Sequence, residues 1–334
     1  MKRTGATLVE VLVAIFVMGI GLIAVLALFP LGVIRMQQAI QDNHTASIAY
    51  NAEAIVTMKL LGQDAAGNPE SIRHDATFVS TSLNPGGGLG QASAQGPSYP
   101  VFIDPTGYRS AAGTPYQGWL AGTAGTIPRI SLNSIQNSAT PDSQAMRWFS
   151  FRDDFEFDNN GLPKYVPPAA PPVTPPPYFY RSTRYSWGLL CQLPKVADPA
   201  VVNMAVVVFN RRTLGMGAGG IPLNEYLYSS AFNTNTNVVT LTVPAGGTPP
   251  PVRLGEWILD STSVTNPASA HGYFYRVVSI TDNGNSTFDL EVQTPLRGFV
   301  GSNIPQISTG VYAGQTIILE GVVEVFERNS GRVP

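Results

Sequence analysis

The hydrophobic pattern of this chain changes period once. From Val11 to Ile34 no position carries a charged or strongly polar side chain. At about 1.5 Å per residue such a helix is roughly 36 Å long, enough to cross a ~30 Å hydrocarbon core with some tilt. Beyond it Arg35, Gln37, Gln38, Gln41 and Asp42 break the run, while Met36, Ile40, Ile48, Ala52, Ile55 and Val56 keep roughly to one helical face. This spacing predicts an amphipathic continuation to about Leu61, with Gly62 as the C′ residue. Pro30 lacks the N–H that would bond the i−4 carbonyl and its ring crowds the preceding turn, so a kink or local melt is expected between Leu26 and Pro30.

After Gly62 short β-like runs separated by turn-forming residues take over. Strands are expected at Phe78 to Leu83, Tyr99 to Ile103, Ile127 to Leu132, Arg147 to Asp158, Tyr185 to Leu193 and Asn203 to Arg211. Met204 to Phe209 is continuously apolar, which points to a central strand covered on both faces. The proline-rich stretch 167–177 favours an extended polyproline II loop between two strands. Past the glycines at 215, 217, 219 and 220 come five more runs: Val238 to Val243, Glu256 to Asp260, Tyr273 to Ile280, Phe288 to Gln293 and Thr316 to Glu327. Asp282-Asn283-Gly284-Asn285 between the third and fourth is a hairpin signal. The expected fold class is therefore α+β. A long N-terminal helix (6–62) precedes a β-rich region with Gly- and Pro-rich loops (63–222) and a small antiparallel barrel or sandwich (235–330).

Composition narrows the class. In 334 residues there are 33 Gly and 28 Pro, and charged residues make up only 13 %, a profile that suits a loop-rich exported β protein better than a cytosolic enzyme. The net charge of −2, with no cluster of cations, disfavours nucleic-acid binding through a basic groove. The single cysteine, Cys191, excludes an intramolecular disulfide. It shares a strand face with Trp187, Leu189 and Leu193 and is expected in the core.

One acid stands at the start of the apolar run. Lys2 and Arg3, then Gly5, then Ala6-Thr7-Leu8-Val9-Glu10 lead directly into it. A carboxylate within a membrane span is costly unless paired, and Lys2 and Arg3 place the N-terminus in the cytoplasm and the bulk of the chain outside. These residues resemble the leader (1–5) of type IV prepilins and type II secretion pseudopilins, with wording closest to minor pilins; the resemblance covers about the first 60 residues. It implies cutting after Gly5 by a prepilin peptidase, methylation of the new amine on Ala6, and pairing of Glu10 with a neighbouring subunit's N-terminal amine. It further implies a structural, non-enzymatic subunit, with Glu10 and Pro30 serving assembly with other pilin-like subunits. Such a subunit begins in the inner membrane and ends in a cell-surface or periplasmic filament. The family usually has Phe after the cut, where this chain has Ala6. A plain signal anchor with an incidental acid is the alternative for the N-terminus. A membrane-tethered binding module that never polymerises, using aromatics such as Tyr116, Trp119 and Trp257, is the alternative for the whole.

Other motifs add little chemistry. Gly215 to Gly220 satisfies GxGxxG but no helix follows, so a linker is expected. Asp154, Glu156 and Asp158 offer oxygen ligands, and some family members hold calcium in their exported domains. The alternation of these acids with Phe149, Phe151, Phe155 and Phe157 reads instead as a strand with a polar face. No cofactor is expected beyond that calcium candidate. His44, His74 and His271 show no metal-ligand spacing to one another or to Cys191, and no nucleophile elbow occurs.

Overall fold

The computed structural model describes residues 8–57, 62–63, 69–70, 72, 75–85, 90–103, 126–132, 148–151, 165–166, 178–179, 184–198, 201–212, 224–263, 270–298 and 310–328. The chain divides into two units, Met1–Ser47 and Ile48–Pro334. The first is occupied by helix α1 (Leu8–Thr57), which carries Glu10 in its first turn and continues into the second. Pro30 sits inside an uninterrupted helix, so no local melting occurs there. One lost hydrogen bond is tolerated when the turns on both sides are long and regular. Residues 58–61, over which the helix is expected to run on to Leu61, lie outside the described residues; Gly62, expected as its C′ residue, opens strand β1 (Gly62–Gln63), paired with β2 (Pro69–Glu70).

The second unit is built on a sheet with two covered faces. Helix α2 (Ala76–Leu83) precedes β3 (Val101–Ile103), β4 (Arg129–Ile130) and β5 (Ser150–Phe151). A separate short pair follows, β6 (Tyr165–Val166) with β7 (Tyr178–Phe179), and then the long strands β8 (Tyr185–Gln192) and β9 (Asn203–Asn210). After these come β10 (Glu225–Asn233), β11 (Val238–Thr242), β12 (Trp257–Asp260), β13 (Tyr273–Asp282), β14 (Thr287–Val292), β15 (Val311–Leu319) and β16 (Val322–Arg328). The sheet runs β16-β9-β8-β3-β4, with β5 also on β8, and β10-β11-β14-β13-β12-β15 close into a barrel.

Strand β9 explains the layering. Its successive side chains point to opposite faces. Val206 and Val208 join a core with Ile48, Ala49, Ala52 and Val56 from the end of α1. Val207 and Phe209 join a second core with Leu259, Phe274, Ile317 and Leu319 of the barrel. The continuous apolar run Met204 to Phe209 thus lies between a helical and a barrel layer, as its lack of alternation predicts. Cys191 lies with Trp187, Leu189 and Leu193 in the helix-side core.

Three expectations are corrected. Residues 78–83 are helical, because Asp75 accepts hydrogen bonds from Thr77 N and Phe78 N at 3.0 and 2.9 Å and caps α2. Phe78, Thr81 and Ser82, three and four positions apart, then face inward. The single final strand expected at 316–327 is two strands. Gly321 turns the chain at φ +86°, close against Asn210 O, where a Cβ would sit 2.8 Å from that oxygen, and Gly321 O accepts from Asn210 N at 2.8 Å. Strand β15 therefore closes the barrel while β16 returns to the sheet and pairs with β9. The barrel in consequence starts at Glu225 rather than at 235, is inserted between two neighbouring strands of the sheet, and ends at Leu319. Of the strand expected from Arg147 to Asp158, Ser150–Phe151 is β5; residues 152–158 lie outside the described residues.

Candidate functional site

The most distinctive surface is on α1. Leu8, Val9, Leu12, Ile15, Phe16, Met18, Leu22, Ile23, Leu28 and Phe29 are all more than half exposed. So are Leu31, Ile34 and Met36, and Ile40 is 48 % exposed. By length and composition this helix can cross a membrane. Glu10 lies in its first turn, where the positive end of the helix dipole favours an acid. The proposed cleavage residues Gly5 and Ala6 lie outside the described residues, as do the calcium candidates Asp154, Glu156 and Asp158, the proline-rich stretch and the GxGxxG segment. Tyr116 and Trp119 lie there too. Trp257, a candidate ligand-binding aromatic, packs against the core between barrel and sheet.

Where the barrel meets the sheet, buried charges converge. Arg129 of β4 donates to Glu225 at the start of β10 through both terminal nitrogens, Nη1 to Oε2 at 2.6 Å and Nη2 to Oε1 at 2.9 Å. Arg212, just past β9, donates to the same carboxylate at 2.8 Å, and its guanidinium lies 4.1 Å above the Phe209 ring centroid. The Arg129 side chain is 0 % exposed and those of Glu225 and Arg212 are 4 %. A planar fork holding a carboxylate with two bonds fixes both distance and orientation. This cluster therefore sets how the barrel meets the sheet. Gly272 marks another close approach, since a Cβ there would lie 2.8 Å from Pro100 Cβ.

A second polar cluster lies where β12 leads into β13, beside the start of β15. Asp260 accepts from Thr262 Oγ1 at 2.6 Å, Thr262 N at 3.1 Å and Tyr312 OH at 2.8 Å. His271 Nδ1 lies 2.9 Å from the carboxylate and must carry the proton to donate to it. Asp260 and His271 are buried. The cluster ties together the two ends of the β12–β13 connection, a structural task. No sequence spacing announced it, because its partners come from three separate stretches. Among the described residues no group of three or more His, Cys, Asp or Glu is placed to hold a metal. A groove of about 100 Å³ lies beside it, lined by Gln192, Asn203, Tyr273, Arg297 and Glu327 among others.

Burial makes this unit sensitive to alkali. Desolvation, then the Asp260 charge, pushes the phenols of Tyr275 and Tyr312 well above their ordinary range, and burial does the same to the Cys191 thiol. In the unfolded chain the thiol and phenols ionise at about pH 8.5 and 10. Above those values the unfolded state has lost protons that the folded state keeps, so stability falls as pH rises, by up to about 1.4 kcal/mol per unit for each group. Thermal unfolding of the detergent-solubilised chain at about pH 8 and about pH 10.5 should show a lower midpoint at the higher pH; equal midpoints would contradict it.

A scan of protein-family models, a search of curated proteins and a search of solved structures each return no match to this chain.

Proposed function

We propose that this chain is a pilin-like structural subunit, inserted with its N-terminus in the cytoplasm and cut after Gly5 by a prepilin peptidase. It then assembles through α1 into a type IV pilus-like filament or pseudopilus, with the sheet and barrel outside. The observation that carries this reading is the length of the exposed apolar helix. From Leu8 to Ile40 the helix rises about 48 Å, against a hydrocarbon core of about 30 Å. A helix serving only as a tether leaves Val33, Ile34, Met36 and Ile40 facing water, at a cost proportional to their area. Packing against the helices of other subunits covers them.

The leader residues and Glu10 support the same reading. In the family the leader resembles, this carboxylate pairs with the methylated N-terminal amine of an adjacent subunit, here that of Ala6, and such a pair offsets the cost of burying either charge. Mass spectrometry of the membrane-associated protein tests the processing step. The expected product lacks residues 1–5 and carries a methyl group on the Ala6 amine. An intact, unmodified N-terminus would overturn the proposal.

A further inference from the structure

Helix α1 carries one cation in fifty residues, Arg35, and its acids are Glu10, Asp42 and Glu53. Arg35 and Asp42 are both exposed. Seven residues apart, they lie within about 20° of one meridian of an ideal helix and about 10 Å apart along it. That is nearly twice the i, i+4 spacing at which charges on one helix pair, and Arg35 instead donates to Gln38 at 3.2 Å. Exposed Ala39 lies between them along the axis, about 40° round the helix from Arg35, and a small residue on that side lets a second helix come close. On the same ideal helix Glu10 and Leu28 also fall within about 20° of the Arg35 meridian.

We propose that Arg35 of one copy pairs with Asp42 of a neighbouring copy across parallel, staggered α1 helices; this rests on the assembly reading above. The stagger has a sign that can be checked. For the Ala6 amine of one copy to meet Glu10 of the next, the first copy must be displaced outward by about four residues, or about 6 Å. For its Arg35 to stand level with Asp42 of that same neighbour, it must be displaced in the same direction, by about 10 Å. The flexible arginine stem spans the difference of about 4 Å. Two charge pairs, one at each end of the apolar stretch, thus call for one common offset. Because each copy offers Arg35 to one neighbour and Asp42 to another, the contact is heterologous and propagates instead of closing into a dimer.

The test uses membranes of cells making the full chain with Cys191→Ser and Leu28→Cys, treated with a bis-maleimide that reports helix-to-helix contact on this strip. Arg35→Asp and Asp42→Arg should each lower the crosslinked fraction, by about fivefold, and the two together should restore most of it. Single reversals that leave the crosslinked dimer unchanged, or a double reversal no better than either single one, would overturn the pair while assembly stands. Absence of any crosslinked dimer in the chain without charge reversals would overturn assembly and the pair with it.

Discussion

Replacing Glu225 by glutamine should cost about 3–5 kcal/mol of stability. The carboxylate is shared by Arg129 and Arg212 at 2.6 to 2.9 Å, in side chains no more than 4 % exposed. Glutamine keeps the shape and one acceptor but removes the charge, leaving two guanidinium groups facing each other with less compensation in a low-dielectric setting. The triple replacement Arg129→Leu, Arg212→Leu and Glu225→Leu should be less destabilising than Glu225→Gln, because a buried cluster removed whole leaves no arginine facing a lost carboxylate. Urea unfolding of the solubilised chain provides the measurement. A midpoint for Glu225→Gln equal to that of the parent would show that the cluster carries no net stability.

Glu10→Ala is expected to leave the sheet and barrel intact and to suppress assembly by on the order of 100-fold. The stability of the second unit, Ile48–Pro334, rests on cores that do not include Glu10. In the proposed filament, however, removing the acid leaves a neighbour's amine buried without its carboxylate, a penalty typical of one-sided removal of an ion pair. Crosslinking between α1 helices reads assembly, and thermal unfolding reads the second unit. Equal crosslinking by parent and variant would sink the proposed role of Glu10. A parallel loss of the unfolding midpoint would show instead that the substitution harms folding.

Several elements were legible in the chain and others were concealed by it. Strands β8 and β9, the Asp282–Asn285 turn and the core position of Cys191 follow from local pattern. At the turn, Gly284, Asn285 and Ser286 take φ of +69°, +51° and +61° in the connection 283–286 that joins β13 to β14. Strand β10 escaped notice because Tyr228 and Phe232 alternate with Ser230 on the inward face, and a serine in that register hides the period of two. That serine is buried and donates to Thr316 Oγ1 at 2.7 Å, a partner visible only once β10 lies beside β15. Residues 78–83 resemble a strand in sequence because Phe78, Val79 and Thr81 have strand propensity; the cap on Asp75 outweighs it.

The sequence by itself determined that a long apolar helix with an acid at its start precedes a β-rich region with no disulfide. Those properties are local, since hydrophobic period, turn residues and cysteine count require no distant partner. Only the tertiary structure decided that the barrel is inserted between β9 and β16, and that Arg129 meets Glu225 across a separation of 96 residues. Buried charges and strand order depend on which surfaces exclude water together, and that is set by how the whole chain packs.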